Sequence, residues 1–126
     1  MLLGLFVLWS AAGSAQTTLK FCVETDKDGK CKKQASEFTI SKDGGTIIFE
    51  LKSPAPLGTS KVLYKIFKLS DNGKAVFNNT IEQDVQEKWN CAWEEAVFYD
   101  PGTYKVMAYD NTDNLLCLGI LKIFTQ

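Results

Sequence analysis

The chain has 126 residues, with 14 Lys and Arg against 15 Asp and Glu, and no histidine at all. A net charge of −1 offers no basic excess to attract nucleic acid or an anionic membrane. The missing imidazole removes Ser-His-Asp and Cys-His catalysis, and it removes copper sites that need two histidines.

Met1 to Ala15 opens the chain with an apolar run, Leu2–Trp9, followed by small residues up to Gly13-Ser14-Ala15. Small residues at three and one before a cut are what a signal peptidase accommodates. The segment is too short to cross a bilayer, which takes about 20 apolar residues. We read 1–15 as a secretion signal and 16–126 as the mature domain, secreted or otherwise extracytoplasmic, with no stable membrane insertion after cleavage. The absence of Lys or Arg before the apolar run departs from the usual pattern, and a buried N-terminal strand is the alternative. Removing 15 of 126 residues leaves 111, the size of one domain.

From Leu19 onward, apolar and polar residues alternate with period two. Leu19, Phe21 and Val23 form one face, and Asp26-Lys27-Asp28-Gly29 then turns the chain. Phe38-Thr39-Ile40 is a short strand ended by Asp43-Gly44-Gly45. In the next strand Ile47, Phe49 and Leu51 share a face. Two prolines in the segment 53–58 exclude strand interior. The strand 61–69 carries Val62, Tyr64 and Ile66 on one face and Leu63, Phe67 and Leu69 on the other. Being apolar on both faces, it reads as central. Asn72-Gly73 signals a hairpin, and Ala75 to Phe77 returns from it.

The stretch 81–97 supports two readings. As a helix, Ile81, Val85, Trp89, Trp93 and Val97 recur every four residues, and Thr80 with Gln83 makes a capping box. As a strand, Val85, Trp89, Cys91 and Trp93 face one way. The surrounding β pattern favours the strand over 85–93, with room for one short helical turn near 94–98. Tyr104, Val106 and Ala108 share a face of the penultimate strand. Leu115, Cys117, Gly119, Leu121 and Ile123 share a face of the last. The expected fold class is all-β: a single antiparallel β-sandwich of about seven or eight strands.

Asp100-Pro101-Gly102-Thr103-Tyr104-Lys105-Val106 resembles the entry to the penultimate strand of immunoglobulin-like and fibronectin type III-like sandwiches. The resemblance implies that the Tyr104 hydroxyl bonds back to the corner before it. Val106 stands where antibody domains carry a cysteine, which excludes their inter-sheet disulfide at that position.

Four cysteines in an exported domain read as disulfides. Cys22 and Cys31 flank the acidic turn, and Cys91 and Cys117 both fall on apolar faces, so we expect Cys22–Cys31 and Cys91–Cys117. Cys22–Cys117 is the alternative. Metal binding is not expected, since there is no Cys-x-x-Cys pair and no histidine. Glu24-x-Asp26-x-Asp28-Gly29 is similar to the opening of a calcium loop, but the twelfth position is Ala35, where a bidentate Glu is needed. Adjacent Glu94 and Glu95 point to opposite faces of a strand and do not converge. Asn78-Asn79-Thr80 is a glycosylation sequon.

No cofactor and no catalytic residue are expected. The leading expectation is a non-catalytic exported module that binds a protein or glycan through loops or a sheet face. Trp89, Trp93, Asp26 and Asp28 are the candidate ligand surface, and the loops 53–59, 26–29 and 110–114 the candidate contacts. The alternative is a carrier of a small apolar ligand between the sheets. A purely structural or inhibitory surface role is a third reading.

Overall fold

The computed structural model describes residues 16–126, so the proposed signal segment lies outside the described residues. Ten strands follow one another: β1 (Thr18–Cys22), β2 (Glu24–Thr25), β3 (Cys31–Lys32), β4 (Glu37–Ile40), β5 (Gly45–Lys52), β6 (Lys61–Leu69), β7 (Ala75–Asp84), β8 (Cys91–Phe98), β9 (Gly102–Asp110) and β10 (Leu115–Thr125). They form a three-stranded sheet ordered β1-β5-β8, a five-stranded sheet ordered β4-β10-β9-β6-β7, and the small hairpin β2-β3. The count exceeds the expected seven or eight because β2 and β3 are two-residue strands. One pairing corrects the antiparallel expectation: β4 runs parallel to β10, Phe38 opposite Ile123. The helical turn expected near 94–98 is absent, because that stretch is strand β8, paired with β5 throughout.

The two larger sheets face each other through the residues that period two predicts. Ile47, Phe49 and Leu51 of β5 meet Val62, Tyr64 and Ile66 of β6, Tyr104, Val106 and Ala108 of β9, and Leu121 and Ile123 of β10. Phe49 is completely buried and organises the centre. Its ring lies 5.4 Å from Phe21, 5.5 Å from Tyr64 and 6.3 Å from Phe98, in edge-on or tilted geometries that aromatic quadrupoles favour. Gly119 lets β10 approach β1: a Cβ there would stand 2.9 Å from the Phe21 ring. The Asn72-Gly73 hairpin forms with Gly73 at φ 82°, a conformation that glycine adopts without a Cβ penalty.

The expected corner is in place. Tyr104 is buried and its hydroxyl donates to the Asp100 carbonyl at 2.9 Å. The stretch 81–97 follows neither reading fully. Ile81 to Asp84 completes β7, residues 85–90 form a loop, and strand begins only at Cys91. The inner face of β8 is also inverted from the expectation, since Ala92, Ala96 and Phe98 are buried. Cys91 and Trp93 therefore lie on the opposite, outer face. Small alanines let the sheets close, and the outer position leaves the Trp93 indole N–H within reach of an acceptor.

Candidate functional site

The disulfide Cys22–Cys31 closes over the acidic turn, with the two Cα atoms 5.7 Å apart. It straps the β2-β3 hairpin onto the outer face of the three-stranded sheet. Beneath the hairpin lies Glu50, only 5% exposed. One of its carboxylate oxygens accepts from the Cys31 backbone N–H at 3.2 Å and from the Trp93 indole N–H at 3.3 Å. A buried carboxylate needs such donors to offset its lost hydration. Glu50 thus joins the strap to Trp93, whose ring also runs beside Gly29.

The expected second bridge, Cys91–Cys117, does not form; both are free thiols. Cys91 lies on the outer face of the smaller sheet, whereas Cys117 is opposite Ala108 on the inner face of the larger one. The two side chains belong to different layers of the molecule. Burial pushes the Cys117 thiol up to about 12. Leu115 also leaves its expected face, because a bulge between Leu115 and Cys117 shifts the register and leaves Leu115 exposed.

Trp89 and Trp93 do come together. They line one open cleft of about 340 Å³ with Gln83, Asp84 and Asn90. The loop 53–58 holds Trp89 in place through Leu57 N–H to the Trp89 carbonyl, 2.6 Å, and Ser53 N–H to the Asn90 carbonyl, 2.8 Å. Trp93 is also the wall of a neighbouring cleft of about 450 Å³ that reaches Thr25, Gly29 and Glu94. Burial, and then the charge of Glu95, raise the Glu94 carboxyl above its ordinary value.

The acidic turns are occupied with their own backbone. An Asp26 carboxylate oxygen accepts from Lys30 N–H at 2.9 Å and Asp28 N–H at 2.8 Å. The Lys30 amide foremost holds that carboxyl below the usual range. Asp110 repeats the arrangement with the amides of Asn114 and Thr112, both at 2.9 Å. These are Asx turns. Asp28 is exposed at the tip, and no group of three or more His, Cys, Asp or Glu among the described residues is arranged to hold a metal. The loops 53–59 and 110–114 meet at Thr59, whose hydroxyl accepts from Asn111 N–H at 3.2 Å.

One surface escaped the sequence reading: the outer face of the five-stranded sheet. Strand pairing sets Leu118, Met107 and Lys65 in one row, and Ile120, Lys105, Phe67 and Phe77 in the next. Tyr109 and Leu63 continue the face toward one end and Phe124 toward the other. Ile120 is 49% exposed and Phe77 59% exposed. The Lys65 ammonium lies 4.6 Å from the Tyr109 ring centre, and Phe67 and Phe77 meet edge to face at 5.9 Å. Among the described residues no element covers this face. Leu63, Phe67 and Leu69 carry the signal in the sequence, but an apolar second face equally fits burial on both sides of a central strand.

No family model matches the chain, and no curated protein matches it. Solved structures do. The chain is similar to an immunoglobulin-like protein from Pseudomonas aeruginosa, at 11% identity and TM-score 0.54, over 88% of this chain and 98% of that one. It is similar to the soluble domain of PmoD from Methylocystis sp., at 10% identity and TM-score 0.51, over 90% and 94%. It is similar to superoxide reductase (neelaredoxin) from Ignicoccus hospitalis, at 9% identity and TM-score 0.51, over 93% and 86%. At these identities the likeness concerns the fold, and the chain has an immunoglobulin-like, all-β sandwich fold.

Proposed function

We propose that the chain is an exported, non-catalytic binding module that engages a protein partner through the outer face of its five-stranded sheet. The observation that carries this reading is the uncovered apolar face around Ile120, Leu118, Phe67 and Phe77. Its four long strands, spaced about 4.8 Å apart and about nine residues long at about 3.3 Å each, project about 600 Å². A standard complex buries about 800 Å² of accessible surface per partner, so a partner docked here must cover the whole face and reach its rim. Exposed apolar patches of several hundred Å² mark interaction sites, and on this face Leu118, Ile120, Phe67 and Phe77 stand side by side. The Cys22–Cys31 disulfide supports export, since such bonds persist in oxidising compartments. The lack of histidine supports a non-catalytic role. The inner faces are filled by Phe49, Tyr64 and their neighbours, so lipid carriage has no observation in its favour.

Ile120→Asp is the decisive variant. Being on an exposed position, it should alter stability by no more than about 0.5 kcal/mol. In affinity capture from the source's extracellular fluid, a partner held by wild type and by Trp89→Ala should be lost from Ile120→Asp. A partner retained by Ile120→Asp and lost from Trp89→Ala would move the site to the tryptophan cleft, where a glycan is the better ligand.

A further inference from the structure

We propose that Asn78 is an N-glycosylation site whose glycan guards the free edge of the five-stranded sheet. The inference rests on the export part of the proposed function; it shares Phe77 with the docking face but requires no partner there.

Asn78-Asn79-Thr80 is the only Asn-x-Ser/Thr sequence in the chain. It falls inside β7, a ten-residue strand that pairs with β6 on one side and, among the described residues, with no strand on the other. Long free edges present unpaired N–H and C=O groups to other chains, and natural sheets blunt them with lysine, proline, bulges or a cover. β7 contains neither lysine nor proline. Its only charges, Glu82 and Asp84, sit at its far end and are engaged by Lys61, at 3.7 and 2.8 Å. The uncharged half carries Val76 and Phe77, 54% and 59% exposed, and its one blunting device is a bulge at Asn78. That half is where a further edge guard is needed, and Asn78 is the next residue.

The backbone singles out the same residue. Ile66 pairs with Asn79 but Phe67 pairs with Phe77, so Asn78 is the extra residue of a β-bulge. A bulged residue is left out of the ladder. Asn78 is exposed, and among the described residues its carboxamide makes no hydrogen bond, so modification sacrifices none. Asn79, by contrast, accepts from Thr80 N–H at 2.8 Å. Asn78 also sits on the rim shared by two surface clefts of about 440 and 190 Å³, one bordered by Phe77 and Lys68, the other by Tyr99 and Asp100. Core sugars attached there have room to lie along the edge strand.

The co-reactant is a lipid-pyrophosphate-linked oligosaccharide, supplied with a transferase of the secretory pathway. The Asn78 side-chain nitrogen forms a bond to C1 of the reducing-end sugar, and the bond from C1 to the pyrophosphate oxygen breaks. The lipid pyrophosphate leaves, and one amide proton passes to a base. No oxidation or reduction occurs.

The test is expression of the full chain in mammalian secretory cells, followed by intact-mass measurement before and after peptide-N-glycosidase. A second arm replaces residues 1–15 with an established secretion leader. We expect one glycan, released with conversion of Asn78 to aspartate, and absent from Thr80→Ala. Chain secreted from the leader-swapped arm with Asn78 unmodified overturns the proposal. Glycosylation in the leader-swapped arm alone keeps the site and overturns the reading of residues 1–15. For the guard role, enzymatically deglycosylated protein should form larger species at rising concentration in size-exclusion chromatography, and Phe77→Lys should suppress them. Deglycosylated protein that stays monomeric overturns that role.

Discussion

Removing the Cys22–Cys31 strap gives the sharpest test of how this fold is held. The bond links residues nine positions apart. A closed loop of that length reduces the entropy of the unfolded chain by about 8.6 cal/mol/K, or about 2.6 kcal/mol at 25 °C. Unfolding entropy is about 2.1 cal/mol/K per residue, so a domain of about 110 residues gains about 0.23 kcal/mol per degree. The double variant Cys22→Ala, Cys31→Ala should therefore melt about 11 °C below wild type. Circular dichroism melts without reductant measure this, and wild type in reductant should fall by a similar amount. Trp93 reports where the effect acts, because its indole N–H and the Cys31 amide share one Glu50 oxygen. Unchanged Trp93 emission in the folded variant places the loss in the unfolded chain, whereas a red shift means that the hairpin has lifted. A drop below about 3 °C would refute the reasoning.

Three further outcomes follow from single side chains. Tyr104→Phe removes the hydroxyl that donates to the Asp100 carbonyl; because Asp100 is exposed and its carbonyl can take water instead, urea unfolding should show a loss of about 1 kcal/mol, and no loss would remove the corner from the stabilising contacts. Glu94 has a folded-state pKa raised above 4.5 by burial, so its stabilising contribution is complete below the unfolded value and is lost as pH rises through the folded one. Glu94→Gln, uncharged throughout, should gain stability relative to wild type between about pH 4 and pH 7, and a constant difference would show that Glu94 stays hydrated. Cys117, with its thiol near 12, is thiolate in only about one molecule in 10⁴ at pH 8; folded protein should leave it unalkylated by iodoacetamide, and rapid labelling would mean that β10 opens locally.

The residues that share a face in β5, β6 and β9 were legible because period two maps directly onto the two faces of a pleated strand, although in β6 both faces are apolar and the pattern did not say which turns inward. The corner at Tyr104 was legible through the resemblance of 100–106 to immunoglobulin-like sandwiches, and the Cys22–Cys31 strap through its short span across one turn. β8 was not. Trp89, just before it, and Cys91 and Trp93 within it attract the core assignment, yet Ala92, Ala96 and Phe98 occupy the interior. Only the three-dimensional position of Glu50 on the adjacent strand explains why a tryptophan is stable on the outside. The parallel pairing of β4 with β10 joins segments more than eighty residues apart, and no local pattern encodes such a choice. Trp89 and Trp93, four residues apart in the sequence, line one cleft. The candidate acidic residue Asp26 turned out to be engaged by its own turn.

The two sheets treat their outer faces differently, and that difference bears most on function. On the smaller sheet, Ile48, Glu50 and Trp93 lie under or beside a hairpin fastened by a disulfide. The chain thus covers that surface with its own residues. On the larger sheet, Leu118, Ile120, Phe124 and Phe77 remain 42–59% exposed. Lys65, Lys105 and Lys122 lie among them, and among the described residues none of the three forms an ion pair. Lys65 and Lys105 are diagonal neighbours on paired strands, which places their Cα atoms about 7–8 Å apart. Two ammonium groups in an apolar field disfavour a second copy of the same face and favour a partner that brings carboxylates. An edge closed by a glycan at Asn78 would leave this face as the route by which another chain reaches the sheet.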